Sequence, residues 1–465
     1  MTNQPVSVVI LAAGLGTRMK SGLAKVLHRA GGACLLEHVL RASHSIAPPE
    51  RTTAVIGHQA GQVRAMVEGY GIRFQVQAEQ RGTGHALLCC AETAGIGEGR
   101  VVVLYGDCPL ISPATLQRLM EQHAVSGAAA TVITTHLKDP TGYGRIVRGA
   151  GGRVEGIVEE KAASEEQKGI TEINSGIYCF EARLLWPHLA AVEPNPASGE
   201  IYLTDLVANL NESGHVTLPL PIDDPNEILG INTRVELAYV DRIFRGRKAR
   251  ELMLAGVTIE KPETVTIDLD VEVGRDTLIG PFVQLLGATR LGEECVVGAC
   301  SILENSELAR GARVHAFSSV VDSRLGEGAE AGPYARLRMG AEAGAGAQIG
   351  NFVELKKTSL GAGSKAMHLA YLGDSTIGER ANIGAGTITC NYDGRKKHPT
   401  AIGDGAFVGS NSTLVAPVEI GAGSYVAAGS VITKHVPSDA LGIGRSHQTN
   451  KADWARARRE KNRQS

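Results

Sequence analysis

The sequence predicts an α/β domain built on a mostly parallel sheet, followed through a long helix by a triangular parallel β-helix. Three observations carry this reading. Up to about residue 234, apolar runs of strand length alternate with helical patterns; beyond about residue 256, aliphatic residues recur every six positions; and the chain combines 57 glycines with only 4% aromatic residues. Glycine averages about 7% of globular chains, so the excess points to an architecture with many tight corners.

The first run, VSVVILAA at 6–13, leads directly into LAAGLGTRMKSGLAKVLH at 11–28. Gly14, Gly16 and the cations Arg18 and Lys25 therefore follow a strand, in the order strand, tight loop, helix. Further strand runs are TTAVIGH (52–58), IRFQVQ (72–77), VVVLYGD (101–107), AATVITT (129–135) and INSGIYCF (173–180). Ligands of such sheets bind beyond the carboxyl ends of the strands, where the glycine loop and Asp107 both fall.

Residues 233–256, TRVELAYVDRIFRGRKARELMLAG, set Val235, Ala238, Phe244 and Leu252 among charges, which predicts one long connecting helix. The predicted division is thus 1–234, a linker helix at 235–255, and 256–465. In the last part Val273-Gly274, Ile279-Gly280, Leu285, Leu291-Gly292 and Val297-Gly298 are spaced by six, as are Ile402-Gly403, Val408-Gly409, Leu414, Ile420-Gly421, Val426 and Ile432. Each hexad supplies one short face, with the aliphatic residue inward and small residues at the corner. The narrow interior excludes aromatics, and the flat faces predict packing against sister subunits as a homotrimer. Two interruptions are expected, at Lys365–His368 and at Asn391–Pro399, and a break in a repeat is a place for a functional loop.

A formal net charge of −2 gives no reason to expect nucleic acid or an anionic membrane as partner. The eight cysteines form no C-x-x-C pair, which argues against a disulfide framework and a zinc site. No apolar stretch is long enough to span a bilayer, and a strand run starts within a few residues of Met1 without a signal-like segment. A soluble cytoplasmic protein is expected.

The stretch LAAGLGTRM, with Lys25, Val26 and Leu27 after it, resembles the signature of the nucleotide-sugar pyrophosphorylases; Ala24 stands where that signature has proline, and Leu15 where relatives are often basic. Further matches follow in order: Gln77, QRGTGHA (80–86), LYGDCPL (104–110), DPTGYGRI (139–146), IVEEK with Glu159, EINSGIY with Asn174, and GINTR with Asn232. The resemblance implies a Rossmann-like nucleotidyltransferase domain that binds UTP and UDP-N-acetylglucosamine through Leu11, Ala12, Ala13, Gly14, Lys25, Gln77, Gly82, Thr83, Tyr105, Gly106, Asp107, Gly142, Glu159, Asn174 and Asn232. Glu159 and Asn174 would hold the sugar. A sugar-1-phosphate oxygen must attack the α-phosphorus of a triphosphate, and two anions do not approach unaided. Mg2+ on Asp107 and Asn232 would bridge them, since a hard cation prefers oxygen ligands. Arg18 and Lys25 would stabilise the departing pyrophosphate, and an ionised nucleophile needs no general base.

GSKAMHLAYLGD at 363–374, with His368, and the Asn391-Tyr392 loop resemble the acetyltransferase half of the bifunctional N-acetylglucosamine-1-phosphate uridyltransferase / glucosamine-1-phosphate acetyltransferase family, a resemblance that covers essentially the whole chain. It implies a left-handed β-helix of hexapeptide repeats. Arg338 in RLRMG, Lys356 in NFVELKK, Tyr371 and Asn382 would bind glucosamine-1-phosphate, with Met339 replacing a usual proline. Ala385, Asn391, Tyr392, Ser410, Ala428 and Arg445 would line an acetyl-CoA groove between neighbouring subunits. His368 would be the general base, for which an imidazole with an unperturbed pKa of about 6.5 is suited, and Asn391 or backbone amides would stabilise the oxyanion. His28 and His85 lie in the half whose chemistry needs no imidazole, and the basic tail from Trp454 to Ser465 reads as a solvated end. The implied product, UDP-N-acetylglucosamine, feeds peptidoglycan and lipopolysaccharide precursors. Two other readings stay open on sequence alone: a single-activity pyrophosphorylase for glucose- or mannose-1-phosphate with a regulatory β-helix, and a β-helix that only trimerises.

Overall fold

The computed structural model describes residues 4–93, 95–196 and 198–464. The chain divides into two compact units, Met1–Phe244 and Arg245–Ser465. The division falls inside the helix Arg234–Leu254, which spans the predicted linker.

The first unit is a nine-stranded sheet: β1 Val6–Ala12, β2 Thr52–Ile56, β3 Arg73–Val76, β4 Arg100–Tyr105, β5 Ala130–His136, β6 Arg145–Arg148, β7 Val154–Val158, β8 Glu172–Glu181 and β9 Thr217–Pro221. The main order is β9-β5-β8-β4-β1-β2-β3, and the β6–β7 hairpin pairs onto β8. Strands β3, β2, β1 and β4 run parallel. β8 runs antiparallel to both β4 and β5, so the sheet is mixed. Strand β1, at the middle of the parallel half, is apolar on both sides, whereas the edge strand β3 is not. Val8, Ile10 and Ala12 enter one core cluster and Val9, Leu11 and Ala13 the other, the period of two expected of a sheet covered on both faces.

The hairpin β6–β7 and the edge strand β9 go beyond the sequence reading. β9 carries Pro219 and Pro221, and proline fits a strand that pairs on one side only. In β8 the register shifts between Asn174 and Tyr178, and Gly176 at φ 78° occupies the irregularity; a Cβ there would lie 2.6 Å from the Tyr105 ring. Such bulges re-aim side chains, here Asn174.

The second unit consists of three stacks of short parallel strands: Thr258–Ile259 to Leu441–Gly442, Thr266–Ile267 to Val431–Ile432, and Glu272–Val273 to Val418–Ile420. The predicted inward residues are buried, among them Ile279, Leu285 and Val297 at 0% exposure, while Val273 is partly buried against the same core. Aromatic rings stay outside. Phe317, Tyr334 and Phe352 stack on one corner of successive coils, centroids 5.1 and 5.3 Å apart, each exposed and each in the left-handed region.

One of the two expected interruptions is absent. Lys365–His368 is an in-register strand that pairs with Gln348–Asn351 below and Asn382–Ile383 above. The small inward residue Ala366, fully buried, hides the hexad there. The second interruption is real: between Ile388–Cys390 and Thr400–Ile402 a loop leaves the coil, closed by a Tyr392–Lys397 bridge.

All eight cysteines are free, and no described helix is long and apolar enough to cross a membrane. Trp454–Gln464 forms an exposed basic helix, with Arg458 over the Trp454 ring; Ser465 lies outside the described residues.

Candidate active sites

The glycine loop after β1 exists to bring Lys25 close. Gly16 has φ 62°, and a Cβ on it would stand 2.7 Å from the Lys25 Cβ. Lys25 opens the 3-10 turn Lys25–Leu27, and its Nζ forms an ion pair with Asp107 at the end of β4. It also donates to Asn232 Oδ1 at 3.3 Å, and Arg18 Nη2 donates to the same oxygen at 2.8 Å.

Asn232 is fixed from both sides. The Asp107 carbonyl accepts from Ile231 N at 2.9 Å. Glu236 accepts from Asn232 N and Thr233 N while Thr233 Oγ1 accepts from Glu236 N, a capping box at the start of the long helix. Asn232 Nδ2 donates to Gly230 O at 3.1 Å, so Oδ1 faces the cations.

Beside this cluster opens a cavity of about 330 Å³. Leu11, Ala12, Ala13, Gly14, Lys25, Gln77, Gly82, Thr83, Tyr105 and Asp107 line it, all of them anticipated from the sequence. Gly106 packs beneath, where a Cβ would meet Ala12 and Val26 at 3.2 Å. Gln77 is buried and donates to Gly82 O at 3.1 Å. Sequence reasoning missed Glu200 and Tyr202, which also line the cavity. They arrive through tertiary bonds, Ile201 N to Arg81 O and Gly84 N to Ile201 O, and no local signal announces them.

Glu159 and Asn174 meet around Gly144, whose missing Cβ would lie 3.6 Å from Glu159 Oε1 and 3.7 Å from Asn174 Cβ. Asn174 Oδ1 accepts from Tyr178 Oη at 3.0 Å. Glu159 opens to solvent on one side, yet the protein around its carboxyl desolvates it and raises its pKa, which the Thr204 hydroxyl at 3.3 Å only partly offsets. Gly142 sits apart on an exposed loop, its N–H on Glu160.

Asp107 Oδ2 and Asn232 Oδ1 both accept from Lys25 Nζ and so present two oxygen donors to one point beside the cavity. That donor set suits a hard cation such as Mg2+, which uses few protein ligands and keeps waters or phosphate oxygens for the rest. Among the described residues no cluster of three or more His, Cys, Asp or Glu offers an all-protein cage.

In the second unit, Asn351 and His368 are cross-strand neighbours, and His368 Nδ1 lies 2.8 Å from Asn351 Oδ1. Arg338, Lys356 and Gly373 occupy one register position on three successive coils. Arg338 Nε bonds Glu354 at 2.7 Å, and the buried Lys356 bonds Asp374 at 2.8 Å. Burial pushes the Asp374 carboxyl up, but Lys356 and the Asn391 amide overcome this and hold it below the usual range. Gly373 makes room: a Cβ would stand 2.5 Å from Tyr371 Oη and 2.7 Å from Asn391 Nδ2.

Lys397, from the loop, is a cation the sequence reading missed. Lys356 beside it holds its pKa below the ordinary lysine value, so two ammoniums are crowded together near Arg338. Asn382 lies one coil above Lys365. Ala385, Ser410, Ala428 and Arg445 follow one another up successive coils: the Ala385 carbonyl accepts from Asn411, the Ser410 carbonyl from Gly429, and Gly429 faces Arg445. Tyr392, Ser410, Ala428 and Arg445 are exposed. A cavity of about 400 Å³ lower in this unit, lined by Arg290, Asp322, Arg324 and Glu342 among others, contains none of the anticipated residues.

Residues 8–192 match the model of the MobA-like NTP transferase domain, and residues 399–434 that of the Bacterial transferase hexapeptide (six repeats). Over 457 residues the chain is 57% identical to the Bifunctional protein GlmU of Solibacter usitatus, covering 98% of each chain. It is 48% identical over 461 residues to that of Koribacter versatilis, again covering 98% of both. The chain belongs to the bifunctional GlmU family. As a GlmU it is an enzyme with two activities, N-acetylglucosamine-1-phosphate uridyltransferase and glucosamine-1-phosphate acetyltransferase, and it carries two separate constellations, one per unit. The readings as a single-activity pyrophosphorylase or a purely structural β-helix fall with this assignment.

Proposed function

We propose that the constellation around Lys25 and Asp107 transfers uridylyl from UTP to N-acetylglucosamine-1-phosphate, and that the one around His368 acetylates glucosamine-1-phosphate. The convergence of Arg18 and Lys25 on Asn232 and Asp107 carries the first assignment. The cavity beside it receives the nucleotide, with Gln77, Gly82 and Thr83 toward the base and Glu159 and Asn174 toward the sugar. Mg2+ held by Asp107 and Asn232 would neutralise phosphate charge. Arg18 and Lys25 take the charge that develops on pyrophosphate as the bond to the α-phosphorus breaks. The sugar phosphate oxygen, already anionic, forms the new P–O bond.

In the second site Arg338, Lys356 and Lys397 form a cationic pocket whose mutual repulsion a sugar phosphate relieves. With Asn351 Oδ1 accepting from Nδ1–H, the His368 Nε2 lone pair is left to take the proton from the attacking amine. The C–N bond forms, the thioester C–S bond breaks, and the imidazolium returns a proton to the thiolate of coenzyme A. Tyr371 and Asn382 complete the sugar pocket, and Ala385, Asn391, Tyr392, Ser410, Ala428 and Arg445 the acetyl-CoA groove. The division of labour follows residues 1–234 and 256–465, joined by 235–255. A homotrimer acting in the cytoplasm, where UTP and acetyl-CoA are supplied, completes the reading.

The test is a pair of variants in the full chain. His368→Ala is expected to abolish thiol release from acetyl-CoA and spare pyrophosphate release from UTP. Asp107→Ala is expected to do the reverse. Joint loss in either folded variant contradicts the assignment.

A further inference from the structure

Gln59 opens the helix Ala60–Val67 with φ 55° and ψ 36°, in the left-handed region although it is not glycine. A side chain there is unfavourable, so the position needs a return. The return is visible. Its carboxamide reaches back across the loop, where Oε1 accepts from Ala24 N at 2.7 Å and Nε2 donates to the Gly22 carbonyl.

These two bonds hold the backbone on either side of Leu23, immediately ahead of Lys25. Gly22 and Leu23 are exposed and gain little from packing, whereas Ala24 is buried and enters the core. The turn that presents Gln59 is itself tight against the cavity wall: a Cβ on Gly57 would lie 3.0 Å from Ala13. One carboxamide thus ties the approach to Lys25 to the end of β2.

We infer that Gln59 is a positioning residue for uridylyl transfer, one that sets Lys25 through the backbone of Gly22 and Ala24 without touching substrate. Ala24 has φ −54° and ψ 138°, close to the value that a proline ring imposes covalently. A proline there would fix the same backbone and forgo the N–H that Gln59 accepts. The Gln59 clamp and a proline at 24 are therefore two means to one geometry in this chain, which makes the role separable from general stability.

The inference rests on Lys25 acting on the triphosphate, and the test separates the two. In the full chain, Gln59→Ala is expected to lower kcat for pyrophosphate release roughly tenfold, the scale of effect that sub-ångström to 1 Å misplacement produces. KM for N-acetylglucosamine-1-phosphate stays unchanged, and so does acetyl transfer by the same preparation, which reports that the chain is folded. Adding Ala24→Pro to Gln59→Ala is expected to restore kcat to within about threefold of the parent, because the ring replaces the lost bond. Full kcat in Gln59→Ala overturns the inference, as does a double variant that remains as slow as the single one with acetyl transfer intact. Lys25→Ala retaining uridylyl transfer would remove the underlying reading instead; Lys25→Ala inactive with Gln59→Ala fully active removes the clamp alone.

Discussion

Lys25 is held between a carboxylate and a carboxamide oxygen, and Glu159 shows the opposite condition, a carboxyl that among the described residues has the Thr204 hydroxyl but no ion-pair partner to offset its desolvation. Surrounding protein, with Asp205 adding to the effect, raises the Glu159 pKa above its ordinary value. The folded state therefore binds that proton more tightly than the unfolded chain does. Ionised Glu159 opposes folding at neutral pH, and the penalty is absent below the ordinary carboxylate pKa of about 4.3. Glu159→Gln, whose amide oxygen still accepts from Thr204, is expected to raise Tm at pH 7, with the gain vanishing as pH falls below that range. It is also expected to raise KM for the sugar phosphate. Thermal melts of both proteins from pH 4 to pH 8 check this, and an unchanged or lower Tm at pH 7 contradicts a desolvated carboxylate. The carboxylate proposed to hold the sugar is the one that folding resists.

At the scale of elements, the second site depends on how closely the coils stack. Gly350 lies below Met367, and a Cβ on it would stand 1.9 Å from the Met367 carbonyl oxygen, a backbone atom that cannot swing away. Gly350→Ala is expected to push the strand Lys365–His368 off Gln348–Asn351, break the His368–Asn351 contact and cost about 1–3 kcal/mol, as overpacking does. Acetyl transfer falls while uridylyl transfer persists; equal loss of both would contradict local displacement. The same tight stacking explains what the sequence revealed. Isoleucine, leucine and valine every six residues announced the coils because they are the bulky inward residues, whereas Ala366 fills its place with a single methyl and so Lys365–His368 read as a break. In the first unit the glycine loop with Lys25 and Asp107 fell at strand ends, a local signal, whereas Asn232 was implied only by the family resemblance that the ordered motifs carry. Glu200, Tyr202 and Lys397 were illegible, because long-range bonds and a loop bring them in. The strands β7 and β9 were hidden by Gly156 and by Pro219 and Pro221, residues that weaken a strand signal, and β6 by its four-residue length.

Across the whole molecule, the two sites differ in how complete one chain makes them. The cavity beside Lys25 is walled by its own unit. Of the residues proposed for acetyl-CoA, Tyr392, Ser410, Ala428 and Arg445 stand exposed, while Ala385 is half-buried and Asn391 buried. A row of exposed side chains leads to His368: Phe317, Tyr334, Phe352 and then Leu369, each at positive φ on successive coils, with Leu369 directly after the histidine. Exposed apolar rows of this kind mark contact surfaces, and this one supports the proposed trimer, in which neighbouring chains would complete the groove. Tyr334→Asp places a charge in the middle of the row while leaving the inward residues Ala331 and Leu337 untouched. The variant is expected to sediment as a single chain, to release pyrophosphate from UTP at the parent rate and to lose acetyl transfer. A single-chain variant that still acetylates glucosamine-1-phosphate would show that one coil stack holds the whole groove. An assembly unchanged by the aspartate would place the contact on a different face.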